Sequence, residues 1–194
     1  RMRVSQGSRA MARAALPIDS ADLDAVQQRF LALYEQHVAT RTTLFEGIEH
    51  VLSALDRAGI GYGVVTNKLS RYSEPLLDKL QLRSRLRCVV SGDTTARPKP
   101  HPDPLLFAAQ LCQVAADRCV YVGDALGDVH AARAAHMRVI VATYGYLGAD
   151  DDPRSWNADA LISKPSQISA WLLRSAGPSW QNEPPHSANS DNCD

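Results

Sequence analysis

The sequence has little that would direct it to a membrane, to nucleic acid or to secretion. Its apolar runs are far shorter than the roughly 18 residues that a membrane-spanning helix needs, and its N-terminus does not resemble a signal peptide. Basic and acidic residues balance at 21 each, so no excess charge favours nucleic acid or an anionic membrane as a partner. We therefore expect a cytoplasmic protein, with its oligomeric state, monomer or homodimer, left open.

Patterns that bind zinc are also missing. The six histidines are scattered without an HExxH pattern, and the four cysteines show no CxxC spacing. Three of the four fall in predicted core elements, which favours free buried thiols in a reducing compartment over disulfides. The cysteines are Cys88, Cys112, Cys119 and Cys193.

What the chain does contain is an alternation of apolar segments and helical patterns, which begins after Gly47. The runs at 60–67, 87–92 and 119–124 are predicted strands, and amphipathic or small-residue helices separate them. Near-continuous apolar strands that alternate with helices predict an α/β fold with a doubly wound, Rossmann-like parallel sheet.

The composition divides the 194 residues into three parts. Residues 1–44 show helical patterns and no convincing strand. Residues 45–176 carry the α/β pattern. Residues 177–194 are polar and rich in Pro, Ser and Asn, which predicts a disordered tail.

Three predicted strand ends carry residues that could do chemistry, and ligands of parallel α/β sheets bind at the carboxyl ends of strands. Thr66 and Asn67 close one strand, where a hydroxyl and backbone amides suit a phosphate oxygen; the alternative is a helix cap. Lys99 lies in "RPKPHPDP", whose prolines stiffen the loop and fix the point from which an ammonium could meet a phosphoryl group. The alternative is an exposed loop lysine.

The third strand end carries two acids, Asp124 and Asp128, where a strand meets a helix. Two carboxylates a few ångströms apart repel each other, and a hard cation such as Mg²⁺ removes that cost. Asp128 also has a structural explanation, because the first turn of a helix favours an anion. A hydroxyl, an ammonium and Gly-Asp-x-x-x-Asp at successive strand ends are more specific together than any one alone.

In these stretches the sequence resembles the haloacid dehalogenase-like (HAD) hydrolases, in particular the phosphoglycolate phosphatase family. "GVVTNK", "RPKPHPDPLL" and "VYVGDALGD" resemble the second, third and fourth motifs of that family. The resemblance covers roughly residues 20–173. Within the family, "YGYLGADDDPRSWNADALI" is most similar to the branch that acts on N-acetylmuramic acid 6-phosphate.

The resemblance implies an Mg²⁺-dependent phosphatase that hydrolyses a small phosphate monoester through an aspartyl-phosphate. By position, Thr66 with the Asn67 amide would bind phosphoryl oxygens. Lys99 would stabilise charge on the phosphate and the nucleophile. Asp124 would bind Mg²⁺, with Asp128 in the first shell or just outside it.

The first motif of the family, a strand followed by Asp-x-Asp-Gly-Thr, is not found in this sequence. The Asp-x-Asp at Asp22-Leu23-Asp24 lies in the predicted first turn of an amphipathic helix and follows no strand. The chain is therefore expected to begin after the first motif. The strand that carries this motif would lie between the strands that end at Thr66 and Asp124, so we expect this chain alone to be poorly stable and to have little or no activity.

In the same family a helical cap lies between the first and second motifs, and residues 1–44 resemble the later part of that cap. Ser5, Gly7 and Arg9 would then belong to the cap segment that approaches the substrate.

Two other interpretations keep the site without this chemistry. One is a non-catalytic module that binds a phosphorylated ligand; the other is a receiver-type signalling domain, which would need an early acidic pair and no helical insert.

Overall fold

Parallel strands alternate with helices in the computed structural model, which describes residues 12–13 and 20–175. The six α-helices with described bounds are α1 (Ser20–His37), α2 (Ile48–Arg57), α3 (Ser70–Lys79), α4 (Asp103–Leu111), α5 (Leu126–Ala134) and α6 (Ser166–Ser175). The five strands described are β1 (Val64–Val65), β2 (Val89–Val90), β3 (Val120–Gly123), β4 (Arg138–Ala142) and β5 (Ala160–Ile162). The predicted α/β fold with parallel strands is confirmed.

The strands form two separate parallel sheets. Strand β1 pairs with β2, and β3, β4 and β5 pair in that order. Strands β1 and β2 are much shorter than the strands predicted from the apolar runs 60–67 and 87–92, because only two residues of each form the ladder. Among the described strands β1 has a partner on one edge only, so its ladder is limited to the residues that face β2.

Strand β4 forms the centre of the core. Its residues Val139, Ile140 and Val141 are fully buried, and their side chains alternate between the two faces of the sheet. Val139 and Val141 pack in a cluster with α5, whereas Ile140 packs in a second cluster with α2. Helices thus cover both faces, as a doubly wound sheet requires.

Helix α1 stands apart from the strands and contacts the rest of the protein through aromatic side chains. Tyr34 of α1 meets Tyr72 of α3 edge-on, with ring centroids 5.5 Å apart. Asp22 lies in the first turn of α1, as predicted. No helix in the described part of the chain is both long and apolar enough to cross a membrane.

The proposed division of the chain remains a prediction. The tail at 177–194 lies outside the described residues, as does most of the segment 1–19. Ser5, Gly7 and Arg9 are among those residues.

Candidate active site

The candidate site is built where β1 and β3 end and where the proline-rich loop enters α4. Thr66 follows β1 directly, and Asp124 follows β3. Lys99 precedes α4 by four residues and joins the two strand ends through its hydrogen bonds. The structure therefore brings these three sequence segments together.

Lys99 is the centre of this arrangement and is not an exposed loop lysine. Its side chain is only 10% exposed. The ammonium donates to Asp128 Oδ1 at 2.7 Å, to the Tyr121 hydroxyl at 2.6 Å and to the Val65 carbonyl at 3.2 Å. Three acceptors match the three protons of an ammonium, so its position is fixed by both β1 and β3.

The side chain of Asn67 fixes the Lys99 loop to the end of β1. Its Nδ2 donates to the Lys99 carbonyl at 2.9 Å, and its Oδ1 accepts the Lys99 N–H at 3.0 Å. The Asn67 backbone also lies against Gly92, where an added Cβ would be 2.7 Å from the Asn67 carbonyl carbon. The side-chain amide of Asn67 thus positions Lys99, and the Asn67 backbone N–H donates to no acceptor among the described residues.

Thr66 places its hydroxyl at the start of the turn after β1. Its N–H donates to the Val90 carbonyl at 2.9 Å, which holds the residue on β2. Its Oγ1 accepts the Lys68 N–H at 3.1 Å. Among the described residues the hydroxyl donates to no acceptor, so its proton can be offered to an anion.

Asp128 is a buried carboxylate whose two oxygens both accept hydrogen bonds. Oδ1 accepts from Lys99, and Oδ2 accepts the backbone N–H groups of Asp124 and Ala125, both at 3.1 Å. Gly123 makes room for it, because an added Cβ there would be 2.5 Å from Asp128 Oδ2. Asp128 therefore positions Lys99 and the backbone of Asp124.

Asp124 is less enclosed. Asp124 Oδ2 accepts the Tyr146 N–H at 2.7 Å. A Cβ added to Gly145 would lie 2.5 Å from the Asp124 Cβ. Its Oδ1 has no hydrogen-bond partner in residues 20–175. Burial, and secondly the negative charge of Asp124, raise the pKa of the nearby Tyr144 hydroxyl.

Tyr121 is a site residue that the sequence reasoning missed. Its hydroxyl contacts the Lys99 ammonium and donates to the Val65 carbonyl at 3.0 Å. Burial, followed by the charge of Asp128, raises its pKa well above the ordinary value. A single phenol in an otherwise apolar strand was the only signal in the sequence.

The carboxylates of the site are few for a metal ion held by protein ligands alone. The described residues contain no group of three or more carboxylate, imidazole or thiol side chains that could surround a metal ion. Mg²⁺ in proteins often takes only one or two carboxylates, with substrate phosphates and waters as the remaining ligands. Asp124 Oδ1 fits that pattern, whereas Asp128 would have to release a hydrogen bond to do so.

The facing edges of β1 and β3 are unpaired among the described strands. On the β1 side, the Val65 carbonyl accepts hydrogen bonds from two side chains, Lys99 and Tyr121, where a neighbouring strand would supply a backbone N–H. On the β3 side, Val122 is 37% exposed although it lies in a core strand.

Comparisons with known proteins show what the chain is similar to. Residues 7–142 match the family described as haloacid dehalogenase-like hydrolase. A phosphoglycolate phosphatase of Xanthomonas campestris pv. campestris (strain 8004) is 45% identical over 172 residues, which are 87% of this chain and 78% of the relative. An N-acetylmuramic acid 6-phosphate phosphatase of Pseudomonas aeruginosa (strain PAO1) is 36% identical over 167 residues, 85% of this chain and 74% of the relative.

Solved structures agree with this result at the level of the fold. The crystal structure of a predicted phosphoglycolate phosphatase from Haemophilus somnus 129pt superposes with a TM-score of 0.73 at 22% identity. The match covers 84% of this chain and 72% of that one.

Proposed function

This chain belongs to the haloacid dehalogenase-like hydrolases, and on that basis we propose that its site cleaves a small phosphate monoester. The observation that carries the proposal is the position of Lys99. Asn67 ties the Lys99 backbone to the end of β1. The buried ammonium is held by the Val65 carbonyl of β1 and by Asp128 of α5. A fixed positive charge at the carboxyl ends of parallel strands suits a phosphoryl group.

Each strand end has a role in holding that group. Thr66 would donate its hydroxyl proton to one phosphoryl oxygen, and the backbone amide of Asn67 would donate to another. Lys99 would offset the negative charge; because its contact with the Val65 carbonyl is the longest of its three, at 3.2 Å, a phosphoryl oxygen would replace that acceptor. Asp128 would keep the ammonium in place throughout.

We assign the Mg²⁺ expected for this family to Asp124, through Oδ1, which no described residue hydrogen-bonds. When bound, Mg²⁺ would neutralise charge on the phosphoryl oxygens. Asp128 would remain outside the direct ligand set, because both of its oxygens are occupied by hydrogen bonds. Its effect on the metal would come through the backbone of Asp124.

The nucleophile is the part that this sequence does not supply. Asp22 lies in the first turn of α1 and not at the end of a strand, and no Asp-x-Asp-Gly-Thr occurs in the 194 residues. We propose that the nucleophilic aspartate is carried on a strand between the unpaired edges of β1 and β3. The aspartyl-phosphate chemistry would then begin at the carboxyl end of that strand, beside Lys99 and Asp124.

The names of the relatives support the substrate class. Phosphoglycolate and N-acetylmuramic acid 6-phosphate are the substrates named for them, and we propose the same class, a small phosphorylated acid or sugar, for this protein. A module that binds phosphate without chemistry is not favoured, because these relatives are named as phosphatases.

A cytoplasmic location is also proposed, from the state of the thiols. Cys88, Cys112 and Cys119 are free. Burial, and secondly the contact with Cys112, raise the pKa of Cys88 to about 12, so this thiol stays protonated at neutral pH.

Restoring the nucleophile tests the proposal. The chain would be fused at its N-terminus to an apolar strand ending in Asp-x-Asp-Gly-Thr, and hydrolysis of phosphoglycolate and N-acetylmuramic acid 6-phosphate would be measured with Mg²⁺ and with EDTA. We expect Mg²⁺-dependent release of phosphate from the fusion, and none from the same fusion with both acids replaced by Asn.

Two results would contradict this account in different ways. Hydrolysis by the unfused chain would show that its nucleophile lies within the present sequence. A folded fusion that binds neither compound and releases no phosphate would show that the site is not a phosphatase site.

A further inference from the structure

A second ammonium lies beside the candidate phosphate site and points to a different partner. Lys68 comes two residues after Thr66, and its backbone N–H donates to Thr66 Oγ1 at 3.1 Å. Its side chain extends to α1, where the ammonium donates to the Tyr34 hydroxyl and lies 4.5 Å from the centroid of the Tyr34 ring.

No residue in the described ranges neutralises the charge of this ammonium. In the described part of the chain no carboxylate forms an ion pair with Lys68, whereas Lys99 is paired with Asp128 at 2.7 Å. Lys68 is half-buried, and a partly buried cation usually has an anionic partner. A phenol oxygen and a ring face stabilise an ammonium only in part.

The surroundings of Tyr34 hold its hydroxyl in place. Its ring stacks on Phe30 at 6.0 Å and meets Tyr72 edge-on at 5.5 Å. Because the Tyr34 oxygen accepts a hydrogen bond from Lys68, the hydrogen of its own hydroxyl is available to another acceptor. The buried Tyr72 hydroxyl in the same cluster also has no hydrogen-bond partner among the described residues.

We propose that Lys68 and Tyr34 bind a carboxylate of the substrate while its phosphate occupies the site at Thr66 and Lys99. This inference rests on the proposed function and refines its substrate class to phosphate monoesters that carry a carboxylate. An ammonium and a phenol hydroxyl supply two donors to one anion, and the hydrogen bond between them strengthens both. Thr66 and Lys68 are two residues apart, and the Lys68 N–H donates to Thr66 Oγ1. The distance between the two anion sites is therefore limited by the length of the Lys68 side chain.

Binding measurements test this without requiring turnover. The affinity of the chain would be measured by calorimetry, with Mg²⁺ present, for two matched pairs of compounds. Phosphoglycolate is compared with ethyl phosphate, and N-acetylmuramic acid 6-phosphate with N-acetylglucosamine 6-phosphate. In each pair only the first compound carries a carboxylate.

In the unmodified chain we expect the carboxylate-bearing member of at least one pair to bind about 10- to 100-fold more tightly, as a charge-assisted contact would give. Lys68→Met should remove that preference and leave the affinity for the partner compound unchanged. Lys68→Arg should keep much of it, and Tyr34→Phe should reduce it. Lys164→Met, at an exposed lysine, is the matched control and should change nothing.

The outcomes separate this inference from the function on which it rests. If both members of each pair bind equally well, or if the preference survives Lys68→Met in a folded variant, the carboxylate site is wrong and the phosphate site stands. If no compound binds the unmodified chain, the same measurement is made on the folded fusion that carries the nucleophile strand. If no compound binds there either, the proposed function is wrong and this inference falls with it.

Discussion

The ammonium of Lys99 lies 2.7 Å from Asp128 Oδ1, and both side chains are about nine-tenths buried. The pair links a loop that follows β2 to the helix that follows β3, and so connects the two separate sheets. Buried charges of this kind are tolerated only when each is paired and hydrogen-bonded. Here Lys99 has three acceptors and Asp128 has donors on both oxygens.

Breaking this pair should destabilise the protein strongly. Lys99→Met or Asp128→Asn leaves one buried charge without its partner, which typically lowers the free energy of unfolding by about 3–5 kcal/mol. The double variant should lose less than the sum of the two single losses, by at least about 1 kcal/mol. Urea unfolding of the four proteins measures this, and strictly additive losses would show that the two charges do not interact.

Gly145 should be required for the geometry of Asp124. An added Cβ would lie 2.5 Å from the Asp124 Cβ, so Gly145→Ala must displace the carboxylate or the turn that binds it. Displacing such a supporting contact typically weakens metal binding about 10- to 100-fold. Mg²⁺ titration in the presence of phosphate would measure this loss.

The matched control for that change is Gly127→Ala. An added Cβ at Gly127 would meet only Pro100, at an ordinary 3.9 Å. Its Mg²⁺ affinity should equal that of the unmodified chain. If both variants lose the same affinity, the close contact at Asp124 is not the cause.

The free energy of unfolding should decrease at alkaline pH because of the Tyr121 hydroxyl. Its pKa is raised in the folded state, chiefly by burial, whereas the unfolded chain loses this proton near pH 10. The unfolded state therefore binds fewer protons above about pH 10, and the free energy of unfolding decreases as pH rises from there. Below about pH 9 Tyr121 is protonated in both the folded and the unfolded state, so its contribution to the free energy of unfolding does not change with pH.

Tyr121→Phe should make that alkaline decline shallower. The decline will not vanish, because burial also raises the pKa of Tyr62 and Tyr144. Urea unfolding at a series of pH values from about 8 to 11 would compare the two slopes. An unchanged slope in the variant would mean that Tyr121 ionises as easily in the folded protein as in the unfolded one.

Amide hydrogen exchange should differ sharply between the two sheets. Strand β4 has a partner on both edges and its central residues are fully buried, whereas β1 has a described partner on one edge only. We expect amides of β1 to exchange roughly 100-fold faster than that of Val141, through local opening. Equal protection from exchange in β1 and β4 would show that β1 does not open more readily than β4.

The order of strands and helices could be predicted from the sequence, because apolar runs and helical patterns alternate clearly after Gly47. The meeting of Lys99 with the strand ends could be predicted as well, since parallel strands bring their carboxyl ends to one edge. These predictions needed only periodicity and topology. The lengths of β1 and β2 were overestimated, because apolar character does not reveal whether a strand has partners on both edges.

The roles of individual polar groups were harder to predict. Asp128 lies in the first turn of α5 and accepts the Ala125 N–H there, as the helix-end interpretation predicted. Its hydrogen bond to Lys99 was not predicted. Tyr121 and Tyr34 were not singled out, because a hydroxyl contact between distant segments leaves no periodic pattern in a sequence. Such contacts depend on side-chain packing that only the folded arrangement shows.

The central claim is that Thr66, Lys99 and Asp124 share one phosphoryl group and its cation. A crystal structure of the chain grown with Mg²⁺ and inorganic phosphate tests it most directly. We expect a phosphate oxygen within hydrogen-bond distance of Thr66 Oγ1 and of the Lys99 ammonium, and Mg²⁺ about 2.1 Å from Asp124 Oδ1. Phosphate bound elsewhere, or bound at Thr66 with the cation away from Asp124, would contradict the account.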